Sequence, residues 1–148
     1  MNRLLIMLSF VLLVSCDTSE EQKSHVETTP QNLQSKIVGE WLGTDETGAS
    51  MVFVFSENRD LKWISGNAVM DAETLGANFS WRLDTNHDPM QLDMVRGPLP
   101  DEDGIVFPAI IRFVTDNKIQ IRMSEDLTSR PIGFSPSDVE GQIMFIRQ

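Results

Sequence analysis

Leu75-Gly76-Ala77-Asn78-Phe79-Ser80-Trp81-Arg82-Leu83 is the stretch whose reading decides the fold. Leu75, Ala77, Phe79, Trp81 and Leu83 fall on one side of an extended chain, and Gly76, Asn78, Ser80 and Arg82 fall on the other. Side chains alternate with a period of two only in a strand, so the spacing predicts a strand with one buried face and one wet face. The same period recurs outward in both directions. Upstream it marks residues 39–44, 50–56 (SMVFVFS) and 61–65 (LKWIS), the last two joined by the polar turn Glu57-Asn58-Arg59-Asp60. Downstream, turn formers at 84–89 precede Met90, Leu92 and Met94, which alternate with Gln91 and Asp93. GPLPDEDG at 97–104 must be a loop, because two Pro, two Gly and three acids cannot form a strand. Residues 105–115 then face 118–123 across Asp116-Asn117, whose side chains tolerate the left-handed backbone of a tight hairpin. Pro108 within the first of these predicts an edge position or a bulge. A polar loop at 124–140 leads to the last strand, GQIMFIRQ. Apart from a short helical turn near 33–38, the chain from residue 36 to 148 reads as about eight short antiparallel strands. That pattern predicts an all-β domain, a barrel or a sandwich, with one core.

The 148 residues include 12 Lys+Arg against 22 Asp+Glu, a formal net charge of -10. Such a balance repels phosphates and argues against a nucleic-acid partner. A single Cys excludes an internal disulfide. Of the first 15 residues 11 are apolar, and the run from Leu4 to Val14 is broken only by Ser9. Preceded by Arg3, it has the form of a secretory signal and is too short to cross roughly 30 Å of hydrocarbon. Residues 17–35 carry only Val26 and Leu33 as apolar side chains and cannot form a core. They read as a flexible tether spanning about 20 to 25 Å, with His25 as a solvated spacer.

Leu13-Val14-Ser15-Cys16, at the end of the apolar run, resembles the bacterial lipobox at all four positions. The resemblance implies a lipoprotein. Residues 1–15 would be removed as a signal peptide, the Cys16 sulfur would carry diacylglycerol, and the new amino group would be acylated by a fatty acid such as palmitate. Several acyl chains on one residue make an essentially permanent anchor, since each buried CH₂ contributes about 0.8 kcal/mol. The expected location is therefore extracytoplasmic, on a bacterial membrane. Asp17 directly after the Cys points to the inner membrane facing the periplasm, with the outer membrane as the alternative.

Gly39-Glu40-Trp41 at the head of the first strand resembles the G-x-W signature of lipocalins and other calycin barrels. In such barrels an Arg on the last strand stacks across the Trp, and Arg147 is placed for that role. The order G-E-W-x-G, MVFVFSENRDLKW, Asp88-Pro89-Met90-Gln91-Leu92-Asp93, the hairpin at 111–123 and Arg130-Pro131-Ile132-Gly133-Phe134 is also similar to a family of small lipocalin-like domains. That family is abundant in planctomycete-type bacteria and largely uncharacterised. This chain departs from it with Asp88 for the usual Asn, Arg112 in an aromatic position, Asn117 for the hairpin Gly, and Ile132-Gly133 inside the last motif. The resemblance implies a small eight-stranded lipocalin-like barrel with Arg130, Pro131 and Phe134 as a clasp at one barrel end.

Chemistry-bearing clusters are sparse. Asp84-Thr85-Asn86-His87-Asp88 imitates half of a calcium loop, but Pro89 stands where Gly is required and Val95 where a bidentate Glu is required. An Asx-capped turn is the better reading. Asp101-Glu102-Asp103 reads as a solvated acidic loop tip, with a weakly held cation as the alternative. His87 is the only histidine of the domain, with no nucleophile elbow beside it and no second ligand for zinc. No catalytic residue, metal or cofactor is therefore assigned, and no enzymatic activity is expected. The aromatics remain. Phe53, Phe55, Trp63, Phe79, Trp81 and Phe113 can line a barrel lumen, and an eight-stranded barrel either fills with its own side chains or holds one small ligand. The two functional expectations are a barrel binding a small apolar molecule or lipid, and a structural or interaction module of the cell envelope with a filled interior.

Overall fold

A computed structural model describes residues 30–97, 104–124, 126, 128–136 and 140–148. The leader, Cys16, His25 and the acidic tip 101–103 lie outside the described residues. Among the described residues no helix is long and apolar enough to cross a membrane.

The chain forms a helix α1 (Pro30–Ile37), then strands β1 (Gly39–Thr44), β2 (Ser50–Phe55), β3 (Leu61–Ser65) and β4 (Ala68–Met70). A one-turn helix α2 (Ala72–Leu75) follows, and β5 (Phe79–Asp84), β6 (Met90–Arg96), β7 (Ile105–Thr115), β8 (Lys118–Met123) and β9 (Gln142–Arg147) complete the set. All nine strands join one antiparallel sheet in the order β4-β3-β2-β1-β9-β8-β7-β6-β5. The sheet curls until β3 meets β5, where Asp60 bridges Ser80 and the Trp81 N–H donates to the Arg59 carbonyl at 3.0 Å. The fold is thus an all-β, nearly closed barrel. Eight strands make the ring, and the three-residue β4 hangs on β3 as a ninth.

Alternation fills this ring. On β2, Met51, Phe53 and Phe55 point inward and are buried, while Val52 and Val54 point out. Ile119 and Ile121 of β8 meet Ile143 and Phe145 of β9 in the same interior. At one end Ile37 of α1, fully buried, plugs the barrel.

Three local expectations are corrected. The strand read from Leu75 begins at Phe79, because Asp71 caps α2 by accepting from the Thr74 N–H at 2.8 Å and Gly76 ends it in the left-handed region at φ 60°. Leu75 and Ala77 keep the period of two by coincidence. Ser80, expected on the wet face, is only 4% exposed because it lies at the β3–β5 closure. Pro108 sits inside a strand that is paired on both sides, and the register shift falls later, between Phe113 and Thr115. The Pro108 carbonyl accepts from Ser124, just past the end of β8, so its donorless nitrogen faces a ladder that has already stopped.

The α2 cap yields a pH prediction. The Thr74 hydroxyl, the Thr74 N–H and Lys62 hold the Asp71 carboxyl below the usual carboxylate range. A group whose pKa is depressed by folding stabilises the fold above its unfolded value, about 4, and loses that contribution as pH falls through the folded value. Asp71→Ala should therefore be less stable than the parent at neutral pH, with the gap closing as the solution is acidified below about pH 4 in urea melts. A gap independent of pH would contradict the charged cap.

Candidate functional site

The G-x-W end of the barrel is held by one cation. The Arg147 guanidinium carbon lies 4.2 Å from the centre of a Trp41 ring, and its donors reach the carbonyls of Val38 at 2.7 Å and of Lys36. Trp41 is fully buried and donates its indole N–H to the Ile37 carbonyl at 2.7 Å. Gly39 explains its own place in the motif. Its φ is 133°, and a Cβ there would stand 2.6 Å from Arg147 Nη1. Gly39, Trp41 and Arg147 thus form one sealed stack over carbonyls that the short α1 leaves unpaired.

The six rings read as a lumen lining all belong to or pack against one core. Four of them, Phe53, Phe55, Trp63 and Trp81, stack on one another, while Phe79 meets Phe107 and Phe113 faces the Lys36 ammonium. Phe53, Phe55, Phe79 and Trp81 are at most 2% exposed, and Trp63 and Phe113 pack against them from partly buried positions. Phe53 has its ring centre 5.7 Å from Phe55, 5.4 Å from Trp63 and 5.2 Å from Phe145. Phe55 meets Trp81 edge-on at 5.6 Å. These are the separations at which rings attract. Each large ring carries about 150 to 250 Å² of burial, so a few of them occupy the interior of an eight-stranded ring.

Two concavities adjoin Arg59. One, of about 480 Å³, is lined by Gln34, Arg59, Arg82, Asp84, Asn86 and Asp93 among others. Another, of about 510 Å³, shares Gln34 and Arg59 and is otherwise lined by Ser35, Val38, Glu57 and Trp81. Arg59 lines both from an unusual backbone position, φ 75°, with its guanidinium carbon 4.7 Å from the centre of the Trp81 ring and a guanidinium nitrogen 2.9 Å from Gln34 Oε1. Asp84 spends an oxygen on the Asn86 N–H at 2.9 Å, forming an Asx turn, and half-exposed His87 stands 3.3 Å from its other oxygen.

The Arg130 segment was expected at a barrel end and lies instead along the outer wall. Arg130 donates to the carbonyls of Leu92 and Ala109 and to Asp93 Oδ1, while Arg82 holds Asp93 Oδ2 at 2.8 Å. Arg122 donates to the Gly133 carbonyl at 3.0 Å, and the Arg112 guanidinium lies 4.6 Å from the Phe134 ring. The strap therefore crosses β6, β7 and β8, fixed at both ends by arginine. Asp93, the carboxylate between two of these arginines, was missed because an outward acid in an alternating strand looks like any solvated residue.

No protein-family model matches the chain, and no curated protein matches it. Among solved structures it is similar to the crystal structure of Treponema pallidum Tp0751 (Pallilysin), at 14% identity, covering 78% of this chain and 82% of that one with a TM-score of 0.47.

Proposed function

We propose that this protein is a membrane-anchored extracytoplasmic lipoprotein, akin to the planctomycete-type lipocalin-like family, whose barrel serves as an interaction module of the cell envelope. The observation that carries the reading is the interior. The rings best suited to contact an apolar ligand are spent on one another, with Phe53 in contact with three aromatic neighbours. A barrel packed in this way acts through its outer wall, and its wall carries the charged strap and the shelves beside Arg59. The anchor rests on the lipobox at Cys16 and on a polar segment long enough to hold the domain clear of head groups.

Native mass spectrometry of the protein extracted from its own membrane tests both parts. The expected species lacks residues 1–15, carries diacylglycerol and an acyl chain on Cys16, and retains no further apolar molecule. An unmodified Cys16 would end the anchor reading. A stoichiometric copurified lipid or small molecule would instead restore the ligand-binding reading of the barrel.

A further inference from the structure

One side of the wall carries a feature that the strap side lacks. Val69, Ile64, Val52, Leu42 and Ile146 are direct cross-strand partners in sequence across β4, β3, β2, β1 and β9. All five point outward, since the inward positions on the three middle strands belong to Trp63, Phe53 and Trp41. Ile146 is 55% exposed and Leu42 38%. The row forms an aliphatic stripe across five adjacent strands of a chain with net charge -10. On the strap side the outward positions carry Asp93, Arg112 and Arg122, which hold the strap down.

The next row along the strands is charged and ordered. Lys62, Val54 and Glu40 are consecutive cross-strand partners, so opposite charges flank Val54 on either side. Both rows are balanced about β2: Val52 has two aliphatic residues on each side, and Val54 has a cation on one side and an anion on the other. We infer that this face is a homodimer interface, in which a second copy docks about a two-fold axis running along β2. That rotation lays Ile64 on the second copy's Leu42 and brings each Lys62 to the second copy's Glu40. An isologous contact needs a self-complementary patch, and this one is complementary in both apolar surface and charge. The two sheets then pack with their strands nearly aligned. A barrel wall is convex, so Ile64, Val52 and Leu42 form the centre, the flanking Val69 and Ile146 form the rim, and the dimer is small and reversible.

Other occupants fit less well. Residues 17–29 offer only Val26 as an apolar side chain, too little to cover the stripe. An anionic lipid surface would meet Glu40 and Asp71, the latter 3.5 Å from Lys62, beside the same apolar residues.

The test uses the purified full chain. Val52→Cys places a thiol on the axis, facing its own copy, whereas Val114→Cys, on a more exposed position of β7, does not. With a short bis-maleimide, Val52→Cys should give predominantly a species of twice the chain mass. Val114→Cys should stay at the baseline set by the parent chain, which contains Cys16 alone. In that background, Lys62→Glu or Glu40→Lys should each weaken the sedimentation-measured dimer roughly tenfold, because symmetry counts the pair twice, and the double reversal should restore it. Equal crosslinking of the two cysteine variants would overturn the proposal. So would a crosslinked product of any other mass, or a double reversal as weak as the single ones.

Discussion

Arg147→Ala should lower the stability of the barrel by about 3 kcal/mol, the sum of two charge-assisted hydrogen bonds and a stacked cation that no other group replaces. In a domain of this size that corresponds to a fall in melting temperature of roughly 10 °C or more. The loss is concentrated because Arg147 alone donates to both the Val38 and Lys36 carbonyls among the described residues and lies over a fully buried indole. Arg147→Lys should recover less than half of it. An ammonium keeps the charge but has no plane to stack and no fork to span two carbonyls. Thermal melts followed by circular dichroism decide the point. An alanine variant melting within a degree or two of the parent would mean that the stack is ornamental.

Asp93→Ala should release the strap. Its carboxylate is largely buried between Arg130 and Arg82, and removing it leaves the less exposed Arg130 without its counter-charge. Taking away one partner of such a pair is far worse than exchanging both, and the partial exposure of Arg82 puts the loss at about 2 kcal/mol. The sharper readout is local. Limited proteolysis should cut within residues 124–136 at least several times faster than in the parent, while the Trp41 end of the barrel stays protected. Asp93→Asn, which accepts hydrogen bonds without the charge, should fall between. Unchanged proteolysis in the alanine variant would show that Phe134 on Arg112 and Gly133 on Arg122 hold the strap unaided.

Much of the fold was legible because a ring of strands buries alternate residues, and alternation is visible in SMVFVFS, in KIQIRM and around Trp81. What escaped was too short for a period to show. β4 has three residues, and only the Gly66-Asn67 turn before it hints that the chain doubles back. The α2 cap was equally readable, as Asp71 three residues before Thr74 and Gly76 just after Leu75, but an accidental alternation at Leu75 and Ala77 masked it. The Trp41 stack could be anticipated because Gly, Trp and Arg each have one physical task there. Asp93, Arg59 and the aliphatic row could not. Their roles depend on which strands become neighbours, and β9 lying beside β1 is a property of the closed ring alone.

That neighbour relation also sets a clock. Val38 and the Arg147 guanidinium that caps it are 109 residues apart, while most other strand pairs join neighbours in the chain. During synthesis the hairpins β1–β2, β5–β6 and β7–β8 can form as they emerge, but Trp41 waits for the final strand. Contacts of such long separation are slow to find one another. For that interval the nascent protein presents an open aromatic sheet, so a holding chaperone on its route would be needed most just before the last strand arrives.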